Sequence, residues 1–136
     1  MPVKAIAKGV RISPRKVSVV AALVRGRSVE DAFVILDNTP RRSALAVKKV
    51  IASAKANAEH NHNYKPSTLT ISEISVTSGP RLKRYRPAAR GSANKFQRKS
   101  SHIRVIVEGE QREAKKAASA KTAEKKPAIK EEKEAK

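Results

Sequence analysis

The sequence predicts an α+β fold in which helices and short strands form a body and a long arm protrudes from it. Apolar residues recur at the spacing of a helix in three segments, residues 13–26, 28–38 and 41–60. Three further runs are rich in β-branched residues and predict strands, residues 3–12, 69–77 and 103–107. The segment between the last two runs has few apolar residues, so it cannot build a core and we expect it to project.

The first two helices have clear start and stop signals. Ser13 is predicted to cap the first helix, and Pro14 follows it at the first helical position. Proline suits this position because an N–H there would have no acceptor within the helix. Gly26 follows the apolar stripe and predicts the end of the first helix. Ser28 is predicted to cap the second helix. The first turn of this helix carries two acids, which interact favourably with the positive end of the helix dipole.

The third helix is predicted to be the longest. Thr39 and Pro40 repeat the cap-and-proline pattern at its start. Its predicted apolar stripe consists of Leu45, Val47, Val50, Ile51, Ala54 and Ala58. Its other face carries the bases Arg41, Arg42, Lys48, Lys49 and Lys55. We therefore expect one face of this helix in the core and the other outside it.

The strand at residues 69–77 contains a change of phase. Leu69 and Ile71 share one alternation, whereas Ile74 and Val76 share the other. Side chains alternate strictly between the two faces of a regular strand, so an extra residue is needed to reconcile the two pairs. The sequence therefore predicts a bulge or a marked twist near residues 72–73.

The net charge of +19 predicts a polyanionic partner. It arises from 31 bases and 12 acids among 136 residues, an excess that repels itself in an isolated compact protein. Nucleic acid is the leading candidate, and an anionic membrane surface is the competing one. The chain has no cysteine, which excludes disulfides and thiol catalysis and fits a reducing cytoplasm. No run reaches 18 apolar residues and the first residues lack a secretory signal, so we expect neither membrane insertion nor secretion.

Residues 78–102, called the arm below, are the most informative part of the sequence. The arm has no acid and carries eight bases: Arg81, Lys83, Arg84, Arg86, Arg90, Lys95, Arg98 and Lys99. It is either a solvated, disordered loop or a β-hairpin with a tight turn near residues 88–91. A hairpin that begins near residue 69 extends for about 60 Å, and an isolated two-stranded hairpin of this kind needs a partner to be stable. Folded RNA offers phosphates to these bases, so we interpret them as RNA contacts.

Other polar residues are weaker candidates for RNA binding. Arg15 and Lys16 lie early in a capped helix, and the charge excess favours phosphate contacts over a solvated face. Asn57 and Asn61 are four residues apart and share a helix face, where they either bind RNA or solvate the helix end. His102 ends the arm, where a contact to phosphate is expected.

No catalytic or metal site is predicted. His60 and His62 are two residues apart and do not share a helix face, and no cysteine or third ligand lies nearby. The sequence contains no glycine-rich phosphate loop, no plausible pair of catalytic carboxylates and no activated serine. We therefore expect no enzymatic activity, no cofactor and no metal.

Four stretches of the sequence form a specific pattern together. They are residues 10–16 (VRISPRK), 24–32 (VRGRSVEDA), 53–61 (SAKANAEHN) and 79–87 (GPRLKRYRP), the last followed by Gly91 and residues 99–103 (KSSHI). With these stretches, over about residues 5–108, the chain resembles the family-twenty-two proteins of the bacterial large ribosomal subunit. The positions Ala88 and Ser92 depart from the family's pattern, which usually has bases there.

The resemblance implies three helices packed on a small three-stranded antiparallel sheet, with the arm as a long hairpin. It implies a cytoplasmic structural protein of the large ribosomal subunit that binds 23S-type rRNA and acts early in assembly. The body is expected near the exit of the nascent-polypeptide tunnel, with the arm between rRNA helices. The tip of the arm is expected to line the tunnel, close to the family-four protein and to the nascent polypeptide. The residues expected to form this tip are Arg86, Pro87, Ala88, Ala89, Arg90, Gly91 and Ser92. Arg11, Ser13 and Arg25 lie in or beside matching stretches and join the expected rRNA contacts.

The domain organisation follows from a change in composition near residue 110. Residues 1–110 are expected to form one rRNA-binding domain that includes the arm, and they hold most of the positive charge. Residues 111–136 are rich in lysine, glutamate and alanine and predict a disordered, flexible tail. A DNA-binding regulator and a membrane-surface protein are the alternatives. The basic density lies in the arm instead of a recognition helix, and the tail mixes glutamates with its lysines, so both are disfavoured.

Overall fold

The computed structural model describes residues 2–112, which form a sheet and three helices. In chain order the elements are β1 (Val3–Val10), α1 (Pro14–Val24), α2 (Val29–Asp37), α3 (Arg42–His62), β2 (Thr70–Pro87) and β3 (Ala93–Glu108), with short 3-10 turns at Pro66–Thr68 and Ala89–Gly91. The predicted α+β class is confirmed. The tail predicted for residues 111–136 lies outside the described residues from 113 onward. Its first two residues lie beside the end of α3, where the N–H of Arg112 donates to the carbonyl of Asn63 at 2.7 Å.

Strand β3 is the centre of the sheet, and it pairs in the antiparallel sense with β1 on one side and β2 on the other. The ladder between β1 and β3 ends at the pair Val10 and Ser101. The ladder between β2 and β3 continues much farther, to the pair Pro87 and Ala93. Beyond Ser101, therefore, only two strands remain, and these two strands form the arm.

Two β-bulges interrupt β2. The first lies between Ile71 and Glu73 and confirms the bulge that the change of phase predicts, because it puts both Ile71 and Ile74 on the buried face. The second lies between Ser78 and Arg81, where β2 advances three residues while β3 advances two. This second bulge was not predicted from the sequence.

Helices α1 and α2 begin and end where the sequence predicts, although their caps differ. The hydroxyl of Ser28 accepts a hydrogen bond from the N–H of Asp31 at 3.1 Å, as expected of a capping serine. The side chain of Ser13 makes no such bond at the start of α1. Gly26 has a φ of 73°, the left-handed conformation that ends a helix at low cost for glycine.

The prediction that Thr39 caps α3 is wrong. Its hydroxyl instead donates to the carbonyl of Ile35 at 2.6 Å, so it terminates α2. Arg41 is the residue that precedes α3, and its side chain makes no capping bond. The Thr–Pro pair thus belongs to the connection between the helices, since two residues remain between Thr39 and the first residue of α3.

The predicted stripe of α3 is correct apart from Leu45, whose exposed fraction is 61%. Leu45 lies two residues before Val47, which is about 200° around a helix and therefore on the opposite side. The small residues Ser43 and Ala44 occupy the buried positions instead. They allow close packing of α3 on the neighbouring elements, and the hydroxyl of Ser43 donates to the carbonyl of Lys16 in α1 at 3.2 Å.

The core lies between the three helices and one face of the sheet, and it is almost entirely aliphatic. Val105 and Val107 of β3 are fully buried on this face, whereas Arg104, which points the other way, is exposed. No helix of residues 2–112 covers the opposite face of the sheet, which is common for an antiparallel sheet. In the same part of the chain two polar side chains are buried, Ser43 and Ser101, and they differ in their hydrogen bonds.

We expect these two buried serines to respond differently to replacement by alanine. Ser43→Ala removes a hydrogen bond and leaves the carbonyl of Lys16 without that donor, so the free energy of unfolding should fall by about 1 kcal/mol. The hydroxyl of Ser101 is buried with no hydrogen-bond partner, so Ser101→Ala removes an unsatisfied group and should not lower that free energy. Urea unfolding of both variants measures the difference, and equal losses would contradict it.

Candidate nucleic-acid interface

The arm is a two-stranded β-hairpin with a tight tip. At the tip the N–H of Ala88 donates to the carbonyl of Ser92 at 2.8 Å. Arg90 and Gly91 take the left-handed conformation, with φ values of 57° and 72°, and reverse the chain between the two strands. The predicted turn near residues 88–91 is therefore confirmed.

The arm has almost no packing of its own. Beyond the second bulge, no residue between 81 and 99 is buried. The seven cross-strand pairs there, from Arg81 with Lys99 to Pro87 with Ala93, extend for about 20 Å at 3.3 Å per residue. The hydrogen bonds of the ladder hold the two strands together, but none of the helices α1, α2 and α3 covers either face of this segment.

Both faces of the arm carry bases. Cross-strand partners in an antiparallel ladder share a face, so the register assigns each side chain. The helix-side face, which continues the buried face of the sheet, holds Arg81, Lys83, Tyr85, Lys95, Gln97 and Lys99. The outer face holds Leu82, Arg84, Arg86, Asn94, Phe96 and Arg98. The guanidinium of Arg86 lies 5.7 Å from the centre of the Phe96 ring, a cation–π contact.

The bases of the arm have no ion-pair partners among residues 2–112. The ion pairs found there join Lys48 to Asp37, Lys55 to Glu59 and Lys65 to Glu110, and all lie in the body. The reason is in the sequence, because residues 74–107 contain no acid. The positive charge of the arm is therefore uncompensated within the described protein and attracts an anionic partner.

Where the arm leaves the body, it faces the start of α1 across a small cavity of about 190 Å³. We name it the arm-base pocket. The first turn of α1 and the residue before it contribute Ser13, Pro14 and Arg15 to its walls. The arm contributes Ser78, Arg81, Lys99 and Ser100. The fold thus brings together predicted RNA contacts that are more than 60 residues apart in the chain.

Two predicted RNA contacts make bonds within the protein. The guanidinium of Arg25 donates to the carbonyl of Ile74 at 3.0 Å, so this side chain holds the end of α1 against β2. Nδ1 of His102 accepts a hydrogen bond from the N–H of Gly9 at 2.9 Å, at the point where β1 leaves the sheet. Both residues retain further N–H groups, because a guanidinium has five donors and a neutral imidazole with Nδ1 accepting carries its proton on Nε2.

The other predicted contacts lie in two places. Arg11 and Lys16 are exposed near the start of α1, close to the arm-base pocket in the chain. Asn57 is half-buried and Asn61 exposed near the end of α3. The start of α3 contacts α1 through Ser43, and a helix rises 1.5 Å per residue, so the two asparagines lie roughly 20 to 27 Å farther along. The structure therefore does not bring them to the arm base.

The residues that shape the arm base were not predicted from the sequence. Gly79 lies in the second bulge, and a side chain there would come within 2.6 Å of the Ser100 hydroxyl. That hydroxyl donates to the carbonyl of Pro80 at 2.6 Å and links the two strands across the bulge. The available signal was the glycine–proline pair inside a strand, because neither residue suits a regular strand interior.

Residues 2–112 contain neither a candidate metal site nor a candidate membrane-spanning helix. No cluster of three histidine, cysteine or acidic side chains that could hold a metal ion occurs among them. No helix in this part of the chain has both the length and the apolar character required to cross a membrane.

Comparison with known proteins identifies a family. The family described as ribosomal protein L22p/L17e matches residues 5–108. The large ribosomal subunit protein uL22 of Clostridium tetani is 50% identical over 107 residues, which cover 79% of this chain and 96% of that protein. The proteins of the same name from Desulforamulus reducens and Oceanobacillus iheyensis are 50% and 49% identical, and the alignment covers 79% of this chain and 95% of each relative.

We expect the body to fold without the outer arm. Replacing residues 82–98 by a short turn removes no buried residue, so the melting temperature should fall by less than about 4 °C, the shift that 1 kcal/mol causes in a small domain. Ile103→Ala, in the buried half of β3, is the control and should cost about 2 to 5 kcal/mol. A loss of melting temperature in the truncated protein as large as in the control would contradict the expectation.

Proposed function

Because the chain belongs to the ribosomal protein L22p/L17e family, we propose that it binds 23S-type rRNA as a structural component of the large ribosomal subunit in the cytoplasm. Proteins of this family are structural constituents of the ribosome, so no catalytic role is assigned. Residues 1–110, with the arm, act as one rRNA-binding domain in this proposal, and residues 111–136 are a tail outside it.

The uncompensated charge of the arm is the observation that carries the proposal. The arm presents eight bases to solvent, none of which has an ion-pair partner among the described residues. Neutralising phosphates with such bases releases condensed counterions and drives binding to nucleic acid. Arginine forks also match the geometry of phosphate oxygens.

The placement of these bases favours RNA on both sides of the arm. The helix-side face carries Arg81, Lys83, Lys95 and Lys99, and the outer face carries Arg84, Arg86 and Arg98. A single flat anionic surface would neutralise only one of these faces. A cleft between rRNA helices neutralises both, so we propose that the arm inserts between them.

The proposed contacts fall into three groups of residues. The first lies at the start of α1 and the junction with the arm, and consists of Arg11, Ser13, Arg15, Lys16, Arg25 and His102. The second consists of the eight bases of the arm. The third is the pair Asn57 and Asn61, which would meet a separate segment of rRNA because it lies away from the arm base.

A finer location is proposed from the resemblance of the sequence to its family. The body would lie near the exit of the nascent-polypeptide tunnel, and the tip, residues 86–92, would line the tunnel beside the family-four protein and the nascent polypeptide. The exposure of the tip and its distance from the core are compatible with this location. Insertion of the arm among several rRNA helices would also explain a role early in subunit assembly.

A matched set of substitutions tests whether the arm binds rRNA. Arg84→Gln, Arg86→Gln and Arg98→Gln together remove three unpaired bases from the outer face, so the affinity for 23S-type rRNA should fall roughly tenfold or more. The salt dependence, the slope of log K against log salt concentration, should flatten by about 2 to 3, close to one per lost phosphate contact. Filter binding over a series of salt concentrations measures both quantities.

The control removes the same charge from the body. Lys48→Gln, Lys55→Gln and Lys65→Gln together replace three lysines that are paired with carboxylates of the protein itself. These pairs lie at the surface, exposed or half-buried, and contribute little to stability, so the control should fold. It should lose much less affinity than the arm variant. Equal losses in both variants would mean that total charge, and not the arm, determines the binding.

A further inference from the structure

We propose that the arm-base pocket binds one phosphate group of the rRNA backbone and so fixes the arm to helix α1. This inference rests on the function proposed above and assigns a specific site to it. The pocket lies between the body and the first residues of the free arm, so a ligand there contacts both.

Three bases of the pocket have no ion-pair partner among the described residues. Arg15 comes from α1, and Arg81 and Lys99 come from the two strands of the arm. No acid lines the pocket, and none of the three makes an ion pair with any of residues 2–112. Arg81 and Lys99 are also direct cross-strand partners, and like charges at such positions are destabilising. A bound anion would attract both side chains and so offset this repulsion.

The polar groups around these bases also suit a phosphate. The side chain of Ser13 does not cap α1, so it is free to act as a donor beside the positive end of the helix dipole. Ser78 and Ser100 also line the pocket. The hydroxyl of Ser100 is already used as a donor to the carbonyl of Pro80, whereas that of Ser78 adds a second hydroxyl beside the bases.

The lining of the pocket distinguishes a phosphate from a nucleobase, and its volume of about 190 Å³ leaves room for a phosphate group. No aromatic side chain lines it, so it offers no surface on which a base could stack. Serine hydroxyls, cationic side chains and one proline line it. These groups match the oxygens of a phosphate better than the planar ring of a nucleobase.

A phosphate in this pocket would set the direction of the arm. At the second bulge the sheet narrows from three strands to two, so β1 no longer supports the hairpin beyond Ser101. A single group held by both α1 and the arm replaces that missing support. Binding of the body and orientation of the arm would then be one event.

A double-mutant cycle tests whether Arg15 and Lys99 share one phosphate. The proteins are the full-length wild type, Arg15→Gln, Lys99→Gln and the double variant, and the probe is 23S-type rRNA. Each single substitution should weaken binding roughly tenfold. The double substitution should weaken it roughly 10- to 30-fold instead of 100-fold, because either substitution alone already weakens the contact with the shared phosphate. The salt slope of the double variant should fall by about 1 in total.

The control cycle pairs Arg15→Gln with Arg86→Gln, whose side chain lies on the outer face toward the tip. These residues would meet different phosphates, so their effects should multiply within about twofold and the slope should fall by about 2. If the Arg15 and Lys99 effects also multiply, the shared phosphate is excluded while rRNA binding itself stands. A pocket that holds only free phosphate would leave all proteins of the first cycle with equal rRNA affinity, which also overturns the proposal. A wild-type protein without affinity for rRNA would instead refute the proposed function.

Discussion

The backbone ladder between β2 and β3 is the interaction on which both halves of the molecule depend. In the body, this ladder forms part of a three-stranded sheet whose buried face supports the three helices. In the arm, the same ladder is the main support, because no residue of its outer part is buried. One continuous pair of strands thus passes from an environment held by apolar burial to one in which only hydrogen bonds and an external partner contribute.

This change of environment explains the distribution of charge. In the body, Asp37 of α2 and Glu59 of α3 pair with lysines. The two acids in the first turn of α2 interact favourably with the positive end of that helix's dipole. Along residues 74–107 the chain has no acid to pair with its bases. The electrostatic cost is concentrated where no core compensates for it, so the arm depends on its surroundings much more than the body does.

The sequence predicted those features that local rules decide. Serine, proline and glycine signals located α1 and α2, and the phase of four apolar residues in β2 located the first bulge. Packing decided the rest. Leu45 matched the apolar composition of α3 but not its angular position, and small residues were needed at the contact with α1.

The candidate site was predicted only in part, for the same reason. The bases of the arm were evident from composition, whereas their sorting onto two faces follows from the register of a ladder that no local pattern reveals. The guanidinium of Arg25 also donates to a backbone carbonyl of β2, a contact within the protein that the sequence did not predict. The arm-base pocket joins segments more than 60 residues apart and requires the three-dimensional fold to be recognised.

The second bulge limits how such an arm can change length during evolution. A single insertion or deletion in β2 at this bulge would exchange the two faces for the residues of β2 distal to it, and so would turn Arg81 away from α1. Lengthening both strands by two residues keeps every distal side chain on its own side. Variation by paired, even steps is therefore the route that preserves recognition, and odd steps require a compensating bulge.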